Sequence, residues 1–215
     1  MGRIDDRYLE LGKQRNEPTA SDLREALDAI LAGKPEEEQS VIGLYFAKEP
    51  PRRTLAALTL RSRKLDIPAG EKAYRVTDFF TTPIDVEAIG IVPHAHLLAR
   101  NIRADAKLPD GTVKPLLWIK DWDFNWQGQY QYKKPVLLPK GTRIEMEFTY
   151  DNSSENPRNP SRPPKRVTWG EQTTDEMALL WLQVLPVKES EAFLLKLALG
   201  RKLVGGALGG GRLRE

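Results

Sequence analysis

The chain has no cysteine in 215 residues. Disulfide bridges, thiolate metal sites and a cysteine nucleophile are thereby excluded. Histidine is nearly as scarce, at 2 residues. Any transition-metal site must therefore use imidazole, carboxylate, thioether or backbone groups. No apolar run is long enough to span a bilayer as a helix. The opening stretch, Met1-Gly2-Arg3-Ile4-Asp5-Asp6-Arg7, has no apolar h-region, so no signal peptide is read there. An excess of one charge is also missing, with 33 basic and 30 acidic residues for a net +3. That mixture is not the footprint of a nucleic-acid binder. The short basic cluster Arg61-Ser62-Arg63-Lys64 has no interleaved aromatics on which bases could stack. Neither a nucleic-acid partner nor a membrane span is expected.

What is present suits a globular chain with a sizeable core. Three segments are expected: a polar helical appendage and linker over 1–40, a β-domain over 41–186, and a helix with a flexible tail over 187–215. In the first, Thr19–Ala32 reads as a helix with Ser21 as N-cap and Leu23, Leu27, Ile30 and Leu31 at helical spacing, stopped by Gly33 and Pro35. In the second, short β-type runs follow one another: Val41–Ala47, Arg53–Leu60, Ala73–Phe80, Asp85–Val92, Leu97–Leu108, Val113–Lys120, Arg143–Tyr150 and Met177–Leu185. Ile144, Met146, Phe148 and Tyr150 alternate cleanly with polar neighbours, and Met146 reads as core. Turn signals separate the runs: Pro68-Ala69-Gly70, Pro109-Asp110-Gly111 and Pro139-Lys140-Gly141. The pattern predicts an all-β fold, an antiparallel β-sandwich or jelly roll, with a short N-terminal helical appendage and a C-terminal helix. Residues 151–168 form a long polar loop, in which Asn152, Asn156 and Asn159 are expected to stabilise turns. Residues 188–204 read as a helix with Phe193, Leu194, Leu197 and Leu203 as its apolar stripe, and Gly205–Gly211 as part of a frayed tail.

The two histidines stand two residues apart, in Val92-Pro93-His94-Ala95-His96-Leu97. On a strand such residues share a face, so the imidazoles would converge and offer half of a metal site. As residues alone they are equally consistent with a hydrogen-bonded pair beside a turn, and Met177 with core packing. Two further stretches are unusual. Asp121-Trp122-Asp123-Phe124-Asn125-Trp126-Gln127 carries 2 of the 5 tryptophans, and Trp169 begins a run ending in Thr173-Thr174-Asp175-Glu176-Met177. Trp122, Phe124 and Trp126 are expected on one strand, packing in the core. Asp175 and Glu176 are expected to cap a turn or orient a ligand. Asp121 and Asp123 have the spacing of a carboxylate pair, but nothing else supports hydrolase chemistry.

Together these segments resemble the C-terminal domain of the copper type II, ascorbate-dependent monooxygenases, the group of peptidylglycine α-hydroxylating and dopamine β-monooxygenases. The bacterial members are most similar. The resemblance rests on Pro93–Leu97, Pro109–Gly111, Trp122–Gln127, Leu138–Thr142, Tyr150–Ser153 and Thr173–Met177, in that order, and covers about 41–186. It implies one copper ion held by His94, His96 and Met177, with no catalytic residue beyond these ligands. It further implies hydroxylation of a C–H bond of a small-molecule substrate, using dioxygen and a reductant such as ascorbate. Two imidazoles and a thioether suit Cu(I), and a thioether disfavours zinc. The family's second copper takes three further histidines, which this sequence lacks. A separate domain or chain would have to carry it; the other reading is a non-catalytic copper-binding or interaction module. Val92, Leu179 and Trp181 stand where the peptide-amidating members have arginine, asparagine and tyrosine, so peptide amidation is not expected and any pocket reads as apolar. The family implies a periplasmic or otherwise extracytoplasmic setting where the domain belongs to an exported protein.

Overall fold

The computed structural model describes residues 8–10, 13–14, 27–28, 31–33 and 48–208. The chain divides into two compact units, Met1–Pro50 and Pro51–Glu215. In the first, β1 (Tyr8–Glu10) pairs antiparallel with β2 (Lys13–Gln14). Leu27, Asp28 and Leu31 are helical, and Gly33 ends that turn at φ 64°, a left-handed value that suits glycine. The rest of the expected Thr19–Ala32 helix, and the whole expected strand Val41–Ala47, lie outside the described residues.

The second unit is an antiparallel β-sandwich. One sheet has the order β5 (Tyr74–Thr81), β10 (Arg143–Tyr150), β7 (Ala99–Lys107), β8 (Val113–Ile119). The other has the order β3 (Ala56–Ser62), β12 (Ala178–Pro186), β6 (Val86–His94), β9 (Tyr130–Leu138). A small ladder joins β4 (Asp66–Ile67) to β11 (Val167–Thr168). Strand alternation builds the core. Ile144, Met146, Phe148 and Tyr150 are buried while Arg143, Glu145, Glu147 and Thr149 face outward, as the pattern predicts. Leu58, Leu60, Ile91, Leu180 and Leu182 of the second sheet join them in one hydrophobic cluster.

The three predicted turns carry glycines at positive φ: Gly70 at 84°, Gly111 at 85° and Gly141 at 85°. Around Gly70 and Gly111 a Cβ would meet nothing, so backbone conformation, not space, requires glycine there. One long strand was not expected. β9 contains Lys133-Lys134-Pro135, which breaks the alternation. It is an edge strand, pairing only with β6, and its register skips from Gln131 to Val136, so Pro135 lies in the unpaired piece.

The C-terminal helix starts with a 3₁₀ turn, Glu189–Glu191, and continues as α1 (Ala192–Leu208). Its buried face is not the expected one. Leu195 is fully buried with Ala192 beside it, whereas Phe193, Leu194, Leu197 and Leu203 are exposed. Nearly every position from 192 to 199 is apolar, so periodicity alone did not select the stripe. The helix also runs through Gly205 and Gly206 to Leu208, within the stretch expected to fray; residues 209–215 lie outside the described residues. Near its end, Lys202 Nζ donates to Asp78 Oδ1 and to the Phe79 carbonyl, both at 2.8 Å. Asp78 Oδ2 accepts the Arg61 N–H at 2.9 Å, which satisfies a donor on the free edge of β3.

Candidate metal centre

His94 closes β6, and the chain then leaves the sheet. Pro93 marks the exit: it pairs with Leu180 of β12, while β9 has already parted from β6 after Ile91. His96 therefore lies beyond the strand, not on it. The two rings still meet, with centroids 5.2 Å apart and planes at 79°. His94 is half-exposed and His96 is 4% exposed.

Both rings are oriented through Nδ1. Gln127 Nε2 donates to the Phe124 carbonyl at 3.0 Å, which turns Gln127 Oε1 toward His94 Nδ1 at 2.6 Å. An amide oxygen only accepts, so His94 carries its proton on Nδ1. His96 Nδ1 lies 3.0 Å from the Asp175 carbonyl oxygen, and the same logic applies. Each ring thus keeps the Nε2 lone pair for a metal, with its other nitrogen held as in known metal-bound histidines. Burial is the main reason that the His96 pKa lies below the ordinary histidine value, which favours the neutral, ligating form. Phe124 packs edge-on to His96 at 5.9 Å, and Trp181 lies 6.4 Å from His94.

The Glu176 side chain joins the backbone of the segment before Met177 to that of the histidine segment. The Glu176 side chain is fully buried. Its Oε2 accepts the His96 N–H at 2.9 Å and the Met177 N–H at 3.2 Å, and its Oε1 accepts the Leu98 N–H at 2.6 Å. One carboxylate oxygen therefore accepts the backbone N–H groups of two of the three candidate ligand residues. Burial pushes this carboxyl up to about 7, against the backbone N–H bonds, which favour its charge. The Tyr150 hydroxyl donates to the Met177 carbonyl at 2.7 Å. Leu179 of β12 pairs with His94, and Met177 lies immediately before that strand. The local turn depends on Gly170, where a Cβ would sit 2.1 Å from Asp175 Oδ2.

The tryptophan stretch is a loop, not a strand. It turns at Asp123, whose carbonyl accepts the Trp126 N–H at 3.0 Å. Trp122 is buried and its Nε1–H donates to the His96 carbonyl at 3.1 Å, but Trp126 is 73% exposed and Phe124 half-buried. The turn, which lets Trp122 and Gln127 reach the two histidines separately, is why the expected alternation fails. Asp121 and Asp123 do not form a catalytic pair. Asp121 is bound by Arg158 at 2.9 and 3.0 Å, and the hydrogen bond from Arg158 holds its carboxyl below the usual range. Asp123 Oδ1 accepts the Asn125 N–H at 2.9 Å. Arg158 also donates to the Trp122 carbonyl, so the long loop fastens the floor of the site. Within that loop, Asn152 Nδ2 donates to the carbonyls of Pro68 and Lys165 at 2.9 and 2.7 Å, and Asn159 Nδ2 to Asn152 Oδ1 at 3.0 Å. The expected structural role of these asparagines holds.

Gln127 was not singled out from the sequence as a histidine partner; its place in the Trp122–Gln127 stretch was the available signal. Among the described residues, no three His, Cys, Asp or Glu side chains group as a metal site. A histidine pair completed by a thioether is outside that set. Two cavities, of about 430 and 440 Å³, are lined by other residues. Among the described residues no helix is long and apolar enough to cross a membrane. Removal of the Gln127 amide is expected to free the His94 ring. Gln127→Ala should weaken metal binding about 10- to 100-fold while leaving the unfolding midpoint within a few degrees of the parent. A competition titration and a thermal melt on the same sample check this.

No family model matches the chain, and no curated protein matches it. Among solved structures, the VP2 subviral particle of infectious bursal disease virus aligns with a TM-score of 0.33 and 10% identity, over 72% of this chain and 38% of that one. The Gt strain of the same virus gives 0.28 and 12%, over 71% and 37%. The chain thus spans less than two fifths of these proteins, and at such TM-scores the likeness carries no argument.

Proposed function

We propose that this chain binds one copper ion through His94, His96 and Met177, and that it is the oxygen-activating half of a copper type II monooxygenase. The observation that carries the reading is the paired orientation of the imidazoles. Each Nδ1 is committed to an oxygen acceptor, and Glu176 Oε2 anchors both His96 and Met177. Two neutral imidazoles and a thioether form a donor set that suits Cu(I). When bound, copper would supply dioxygen activation for hydroxylation of a C–H bond, with electrons from a reductant such as ascorbate. The protein's own work is orientation. Gln127 and the Asp175 carbonyl fix the two rings, Trp122 holds the His96 carbonyl, and Val92, Leu179 and Trp181 border His94 on the same sheet face.

A second reading is a copper-binding module without catalysis. It is favoured by the histidine count: with 2 histidines, both committed here, the chain cannot supply a three-histidine electron-donating site. A partner domain or chain would have to provide it.

Cu(I) titration against a competing chelator tests the site. One equivalent should bind, and His94→Ala and Met177→Ala should each weaken binding at least tenfold. Unchanged affinity in both variants would reject the site. Reductant-dependent oxygen uptake above that of free copper separates the enzyme from the module, which should show none.

A further inference from the structure

The basic run Arg61-Ser62-Arg63-Lys64 closes β3 and bends toward β4. Local contacts hold the bend. The Lys64 N–H donates to Ser62 Oγ at 3.2 Å, and the Arg63 guanidinium lies over the Trp169 ring, 5.0 Å from its centroid. The Tyr74 hydroxyl, from β5 of the other sheet, donates to the Lys64 carbonyl at 3.4 Å. All four residues of the run line a cavity of about 440 Å³, and Lys202 of α1 joins them. The cavity lies between β3 and β5, the edge strands of the two sheets.

Asp78 is the one acid among the described residues that line this cavity, and it is already satisfied. Lys202 Nζ donates to its Oδ1 at 2.8 Å, and the Arg61 N–H to its Oδ2 at 2.9 Å. Among the described residues, no salt bridge engages Arg61, Arg63 or Lys64. The cavity therefore keeps three positive charges that no local acid balances. The hydroxyls of Thr59, Ser62 and Thr77 stand beside them, and a hydroxyl that accepts one hydrogen bond can still donate another.

A single carboxylate would balance one of these charges. A phosphate group brings about 1.5–2 negative charges and three acceptor oxygens, which guanidinium groups meet in pairs. Among the described lining residues Leu203 is the only apolar one and none is aromatic, so a nucleobase would find no stacking surface. We propose that the cavity of Arg61, Ser62, Arg63, Lys64 and Lys202 binds a phosphate group, carried by a soluble diphosphate or by the phosphomonoester headgroup of a lipid. His94, His96 and Met177 do not line it, so the proposal is independent of the copper reading.

Calorimetric titration of the full, metal-free chain with inorganic diphosphate is the first arm of the test. Diphosphate should bind saturably at one site, and acetate at least tenfold more weakly. Arg61→Gln and Lys64→Gln should each weaken diphosphate about tenfold or more, with the unfolding midpoint of the free chain unchanged. Lys134→Gln removes a cation from β9, outside the cavity, and should bind like the parent. Co-sedimentation with phosphatidylcholine vesicles, with or without phosphatidic acid, is the second arm. Retention that needs phosphatidic acid and is lost in Arg61→Gln assigns the phosphate to a lipid; diphosphate binding without such retention assigns it to a soluble ligand. The proposal is overturned if neither diphosphate nor phosphatidic acid is bound, if acetate binds as tightly as diphosphate, or if Lys134→Gln loses as much as Arg61→Gln.

Discussion

Glu176→Ala is expected to destabilise the sandwich by about 3–5 kcal/mol and to abolish tight Cu(I) binding together. The Glu176 carboxylate is fully buried and accepts the N–H groups of His96, Leu98 and Met177. Truncation leaves three donors without an acceptor, each costing about 1–3 kcal/mol before the segment relaxes or admits water. Breaking a buried charged network elsewhere has costs in this range. For a chain of this size that corresponds to a fall in Tm of about 10 °C. The metal effect follows from the same bonds, since His96 and Met177 lose their common anchor. Glu176→Gln keeps one accepting oxygen and nearly the same shape, so it should recover part of both losses. Urea unfolding of the three forms, paired with Cu(I) competition, checks the pair of effects. A loss under about 1 kcal/mol in the alanine variant would show that the β6–β12 ladder holds the segment without the carboxylate.

Trp122→Ala is the second large effect. The indole is 1% exposed and supports the histidine segment from below, with its Nε1–H on the His96 carbonyl. Emptying that volume should cost about 3–5 kcal/mol. Trp122→Phe retains a ring but loses the donor, leaving the carbonyl of His96 without this bond, and should cost less, by about 1–2 kcal/mol for the bond plus a smaller cavity. Denaturant midpoints of the two variants separate packing from the hydrogen bond: similar losses in both would make the bond, not the volume, the dominant contribution.

The sandwich was legible in the sequence where residues alternate without interruption. β10 reads directly from Ile144, Met146, Phe148 and Tyr150, and the turns from Gly70, Gly111 and Gly141. β9 was hidden because Lys133, Lys134 and Pro135 occupy an unpaired piece that an edge strand tolerates. The inner face of α1 was hidden for the opposite reason, an excess of apolar residues on all sides. At the candidate site, the proximity of His94 and His96 was legible from their spacing, but Gln127 was not. Its partner lies 33 positions away, and only the turn at Asp123 brings it there. Local pattern shows which residues can act on a metal; it does not show which distant side chain holds them in place.

The clamp made by Glu176 joins positions 80 apart in the chain. Loop closure on that scale must be completed before the bond contributes anything. The clamp therefore forms only when these two distant segments have met. A chain released before residue 176 would carry both imidazoles but neither the Glu176 carboxylate nor the Met177 thioether. On the proposed copper reading, the donor set that distinguishes a soft ion is complete only in the closed sandwich, so metal selectivity would report on the integrity of the fold.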